Sequence, residues 1–173
     1  VAGLETSLQY TLVQRESVHL KVGMNATFLR NRVTSMGDLQ VYTFSDNDYG
    51  LRLAVDEPAQ VFNLFNQLYD ASGKPLQGGY EKNEYGYAER KPMGTNQPNT
   101  FFGISSNGGY RKWEMSFLVR GSVGQQVFNQ ADANRSWLYA NDQYAYLSNA
   151  TRSYLENGFI SSHSESSHFL ENA

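Results

Sequence analysis

The chain has 173 residues and a formal net charge of −3, from 14 Lys and Arg against 17 Asp and Glu. No basic cluster stands out, so nothing in the charge points to nucleic acid, and the lack of any Cys excludes a disulfide framework and a thiolate metal site. No apolar run is long enough for a transmembrane helix and no signal-peptide pattern is read, but membrane-crossing strands hide their apolar residues in alternation.

That alternation begins at once. In "GLETSLQYTLV" one set is Leu4, Thr6, Leu8, Tyr10 and Leu12; the opposite set is Glu5, Ser7, Gln9 and Thr11. The charged "QRES" (Gln14 to Ser17) follows as a tight hairpin turn. "VHLKVGMNATFL" then places Val18, Leu20, Val22, Met24, Ala26 and Phe28 on one face, with His19, Lys21, Gly23, Asn25 and Thr27 on the other. A first hairpin is therefore expected over about residues 3–29.

Residues from about 31 to 98 are rich in turn formers, as in "DASGKPLQGGYEKNEYGYAERKPMG". Within them "EPAQVFNLFNQLYD" fits either a strand or a short helix, because Val61, Leu64, Phe65 and Leu68 also have helical spacing. Pro98 precedes a second hairpin, expected over about 99–122. There Phe102, Ile104, Tyr110, Trp113, Met115, Phe117 and Val119 share one face, and the turn is at Arg111-Lys112. From about 125 to 173 the chain is again polar, and "QADANRSWLYANDQYAYLSNATRSYLENGF" reads as short helices separated by loops.

Strands of about ten to twelve residues exceed the usual five to six of globular proteins. They match the roughly nine to eleven that cross a bilayer with alternating apolar and polar residues. Short turns at one end and long connections at the other suit an outer-membrane barrel. A soluble β-sandwich also makes alternating strands, so on pattern alone both architectures stay open. The barrel reading expects Leu8, Leu20, Val22 and Met24 to have no second sheet packed on them.

The residues carry a family resemblance. "GLETSLQYTLVQRESVHLKVGMNATFLRNRVTSM" resembles paired barrel strands of the SusC/RagA family of TonB-dependent outer-membrane transporters. "DEPAQVFNLFNQLYDASGKPLQGGYE" is similar to that family's segment ending in an Asp-x-x-Gly-x-Pro pattern. "QPNTFFGISSNGGYRKWEMSFLVRGSVGQQVFN" is similar to a later strand, turn and returning strand, and "SSHFLENA" to the approach to the next strand. The resemblance implies an all-β fold: antiparallel β-hairpins from a large outer-membrane β-barrel of the 22-stranded type, with long extracellular loops containing short helices. It implies a fragment of the C-terminal half, forming one partial barrel domain over 1–173. It also implies import of glycan or oligosaccharide nutrients, with peptide as the lesser substrate. The implied partners are a SusD-like surface lipoprotein, TonB (through an N-terminal region not found here) and outer-membrane lipid. Neither a plug nor a TonB-interacting segment is identifiable. No enzyme chemistry and no cofactor are implied. The alternative is a soluble all-β glycan-binding or adhesin module.

Candidate residues fall in three groups. Glu5, Gln9, His19, Lys21, Asn25, Asn107, Glu114 and Arg120 would face a lumen. "HSESSH" brings His163, Glu165 and His168 close in sequence, but a Ser-rich loop without helical register is a poor zinc scaffold, so no metal is expected. The loop aromatics Tyr80, Tyr85, Tyr87, Trp137 and Tyr139 offer apolar ring faces with polar rims, which suit amphipathic ligands such as sugars.

Overall fold

The period-2 segments form the longest strands of the chain. In the computed structural model, which describes residues 1–44, 50–136, 151–158 and 165–173, β1 is Ala2–Arg15, β2 Val18–Arg30, β9 Thr100–Tyr110 and β10 Trp113–Val123. They make one antiparallel sheet in the order β1-β2-β9-β10. With Gln97–Gln125 and Ala173, residues Val1–Arg32 form one compact unit; Val33–Asn96 and Gln126–Asn172 form a second.

Strand pairing in the first unit sorts the side chains into two faces. One face carries the rows Leu8–Met24–Ile104–Val119 and Tyr10–Val22–Ser106–Phe117, read across β1, β2, β9 and β10. The row at the tight-turn end is Arg15–Val18–Tyr110–Trp113. None of this unit's described large hydrophobic side chains is buried. Leu8 and Met24 are 61% and 55% exposed; Leu20 and Val22 are shielded only in part. No second sheet covers this face among the described residues, in keeping with the barrel expectation and against a closed sandwich core.

The pairing corrects one detail. The alternation places Leu12 with Leu8 and Tyr10, but Thr11 pairs with Lys21 and Val13 with Leu20, so Leu12 is skipped by a β-bulge. An apolar Leu in the extra position continues the pattern in sequence although it breaks the pairing. Val13, not Leu12, faces outward beside Leu20. The turn itself is only Glu16-Ser17, since β1 continues through Arg15.

The second unit is built from short strands. β3 (Val41–Thr43), β4 (Leu51–Ala54), β5 (Val61–Phe65) and β8 (Arg90–Thr95) form a sheet in that order. β6 (Gln67–Tyr69) and β7 (Pro75–Tyr80) form a hairpin, and β11 (Gln126–Phe128) pairs with β12 (Leu170–Asn172). The segment that fits strand or helix is strand, split into β5 and β6. Val61, Phe62 and Leu64 are all buried, so both faces of β5 are covered and its apolar run shows no alternation. Short helices occur where the sequence places them: α1 is Gln130–Arg135, capped by Asn129, and α2 is Arg152–Asn157, capped by Thr151. Ala133 and Phe169 pack together with Phe128 against them.

Buried polar groups in this unit are tied together. The Gln67 side-chain amide lies 2.9 Å from the Leu68 carbonyl, 2.8 Å from that of Leu76 and 3.1 Å from that of Gly79. Its Oε1 accepts from the buried Ser166 hydroxyl at 2.9 Å, and its backbone N–H donates to Ser167 Oγ at 3.0 Å. One side chain thus joins the β6–β7 hairpin to a segment about a hundred residues later.

Candidate functional site

The polar face of the four-stranded sheet consists of five rows. From the end opposite the turns they are Glu5–Thr27–Phe101–Ser122, Ser7–Asn25–Gly103–Arg120, Gln9–Gly23–Ser105–Leu118, Thr11–Lys21–Asn107–Ser116 and Gln14–His19–Gly109–Glu114. All eight residues expected to face a lumen lie here. His19 Nε2 and Glu114 Oε2 are 3.6 Å apart across the last row.

Glycine makes this wall thin. A Cβ at Gly103 would sit 2.4 Å from Asn25 Oδ1, and one at Gly23 would sit 2.8 Å from Ser105 Oγ. Polar side chains therefore lie down over bare backbone, leaving a depression of about 320 Å³ whose lining includes Gln9, Asn25, Ser105, Leu118 and Arg120. A second depression of about 310 Å³ adjoins it and contains Lys21 and Asn107.

The second unit carries two loops of one design. In "DASGK" the Asp70 Oδ1 accepts the N–H groups of Ser72 at 2.8 Å and Lys74 at 2.9 Å, and Gly73 has φ +82°. In "NEYGY" the Asn83 Oδ1 accepts those of Tyr85 at 3.0 Å and Tyr87 at 3.1 Å, and Gly86 has φ +83°. In both, the Gly N–H donates to the Asx carbonyl at 3.0 Å. An Asx side chain that mimics a turn, followed three residues later by a residue that tolerates positive φ, explains the shared form. The spacing Asx-x-x-Gly is visible in the sequence and could have revealed it.

The candidate aromatics are placed differently from one another. Tyr85 and Tyr87, at 75% and 72% exposure, stand together on the Asn83 loop. Tyr80 is partly buried, its ring centroid 5.1 Å from that of Phe65, whose other neighbour is the Arg90 guanidinium at 5.4 Å. Burial, and then the charge of Glu165, push the Tyr80 phenol up to about 12. Trp137 and Tyr139 lie outside the described residues.

The His-Glu-His segment is drawn apart by other bonds. His163 lies outside the described residues. Glu165 is ion-paired with Arg90, and the His168 Nδ1 lies 3.2 Å from the Tyr69 hydroxyl. Among the described residues no group of three His, Asp or Glu side chains could hold a metal ion.

No protein-family model matches the chain. It is 25% identical over 169 aligned positions to the TonB-dependent receptor SusC of Bacteroides thetaiotaomicron, covering 84% of this chain and 16% of that protein. Its fold is similar to that in the structure of the RagAB peptide transporter, with a TM-score of 0.68 at 17% identity over 98% of this chain and 21% of the other. The RagAB peptide importer in its closed-closed state gives a TM-score of 0.62 at 14% identity, with the same coverage. The chain thus spans only about a sixth to a fifth of the length of the proteins it matches. Long strands with one exposed apolar face and one polar face accord with these likenesses: the chain resembles a segment of SusC/RagA-type TonB-dependent outer-membrane β-barrels.

Proposed function

We propose that the chain supplies wall strands and surface loops to a TonB-dependent importer of glycan nutrients that works with a SusD-like surface lipoprotein. The observation that carries this reading is the four-stranded sheet, apolar and uncovered on one face and polar on the other, with both tight turns at one end. The apolar rows suit lipid and the polar rows suit a wet lumen. Short turns then face the periplasm, and the Asn83 loop lies on the outside of the cell.

The tip of that loop is the best-supported ligand or lid contact among the candidate aromatics. Tyr85 and Tyr87 have open ring faces held by backbone bonds to Asn83, so little order is lost on stacking against a sugar ring or a partner surface. Tyr80, packed on Phe65, serves the loop's own structure. Trp137 and Tyr139 stay in the proposal on their sequence context.

The test uses cells carrying the intact transporter and its lipoprotein. Deleting the transporter should abolish uptake of one glycan from a panel. Tyr85→Ala with Tyr87→Ala, and separately Trp137→Ala, should reduce uptake or co-purification of the lipoprotein while the barrel stays folded. A loss on the order of 2 kcal/mol is expected if either site is a hot spot. A deletion that spares every glycan and abolishes peptide uptake would replace the substrate class.

A further inference from the structure

The polar wall is not uniform in charge. Both of its acids lie in the outermost rows: Glu5 in the first and Glu114, facing His19, in the last. The three rows between them contain two charged residues, Lys21 and Arg120, and both are basic. Neither side chain has a hydrogen-bond or ion-pair partner among the described residues. The nearest wall carboxylate, that of Glu114, lies over Gly109 and is held by His19.

Two basic side chains without an ion-pair partner among the described residues, on a band otherwise lined mostly by amides, hydroxyls and glycine, make an anion-attracting track. Lys21 and Arg120 are two strands and four residues apart, roughly 16 Å from Cα to Cα. Between them the backbone of Gly23 and Gly103 is covered by the side chains of Ser105 and Asn25. Asn25 and Ser105, lying over these glycines, present groups that both donate and accept hydrogen bonds. Arg120 offers a planar fork suited to a carboxylate, and Lys21 a point charge.

We propose that this middle band of the wall binds the carboxylates of a linear acidic oligosaccharide, of the uronic-acid type, as it passes along the lumen. The inference rests on the glycan reading above and narrows it to an anionic class. Neutral oligosaccharides would find hydrogen bonds on the same wall but nothing to compensate the two charges.

The experiment titrates the purified intact transporter in detergent with oligogalacturonate and with the same oligomer after carboxyl reduction, following heat release. The acidic form should bind about tenfold more tightly, as a new charge-assisted contact warrants, and added salt should shrink the difference. Lys21→Gln with Arg120→Gln should remove most of that preference, whereas Lys21→Arg with Arg120→Lys should keep most of it. The comparison of the two oligomers on the unaltered protein needs no variant, so a misfolded variant cannot shelter the proposal. Equal affinity for both oligomers, or a preference that survives the double Gln variant, overturns the proposal and leaves the glycan reading standing. Failure to bind either oligomer overturns it too, and binding of a poly-glutamate peptide instead overturns the glycan reading with it.

Discussion

The backbone N–H of Arg111 donates to the carbonyl of Ser17 at 2.8 Å, so the two tight turns of the sheet are bonded to each other. Val18 pairs with Tyr110 directly above them. Two hairpins distant in sequence therefore end at one level, and the sheet has a single even rim at that end.

Arg111 makes this bond from a positive φ of 54°, a conformation that costs an L-residue about 1 kcal/mol or more. Its guanidinium lies 5.3 Å from the Tyr110 ring centroid. Arg111→Gly should be close to neutral, since relief of strain and loss of stacking offset each other. Arg111→Pro removes the N–H and forbids the φ, and should destabilise the barrel by more than about 1 kcal/mol. The temperature at which the intact barrel loses its compact gel mobility distinguishes the two.

Gln67 predicts a cost in the second unit. Gln67→Leu strands the Ser166 hydroxyl and the Leu76 and Gly79 carbonyls, and should cost about 2 to 4 kcal/mol. Gln67→Glu keeps the shape but turns a carboxylate toward those carbonyls, and should be at least as harmful at neutral pH. Limited proteolysis of the loops in the intact protein measures the effect; equal resistance in both variants would show that the network is dispensable.

The twin loops should respond differently to acid. The Ser72 hydroxyl, followed by the Lys74 N–H, holds the Asp70 carboxyl below its ordinary range. A depressed acid stabilises its loop above the ordinary Asp value and loses that contribution as pH falls through the lowered one. Asn83 does not titrate. Amide exchange at Ser72 and Lys74 should therefore quicken in acid relative to that at Tyr85 and Tyr87. Asn83→Ala should speed exchange at the two tyrosines at every pH, by the loss of about 1 kcal/mol of hydrogen bonding.

Tyr80 sets an alkaline limit. Its phenol, raised to about 12 by burial and Glu165, is bound as the neutral form in the folded loop. The associated stability is intact below the ordinary tyrosine value near 10. It is lost as pH rises through the folded value. Tyr80→Phe should remove this part of the alkaline destabilisation, seen as a smaller fall in loop protection above pH about 10.

The two long hairpins were legible because a bilayer-facing strand must be apolar on one side for its whole length, and Leu4 to Phe28 show that contrast on both strands except at the turn and at the Leu12 bulge. Val61 to Phe65 do not, because both faces of β5 are covered and burial erases the period. Gln67 looks like any surface glutamine until Ser166, 99 positions later, is brought against it. Tyr80 and Tyr85 are equivalent in sequence context; only the arrival of Phe65 beside Tyr80 separates a packing ring from an open one. The charge of the wall needed the register, since Lys21 and Arg120 are far apart in the chain and belong to one band only across paired strands.

The skipped Leu12 bears on how such a wall tolerates change in length. Along a regular strand, losing one residue turns everything on one side of the loss inside out, apolar toward water and polar toward lipid. At Leu12 the reverse holds. Removing it would bring Thr11 and Val13 into uninterrupted register with Lys21 and Leu20, and every other side chain would keep its face. The bulge is a spare position in the frame of β1, a place where a one-residue deletion can be absorbed without inverting the wall.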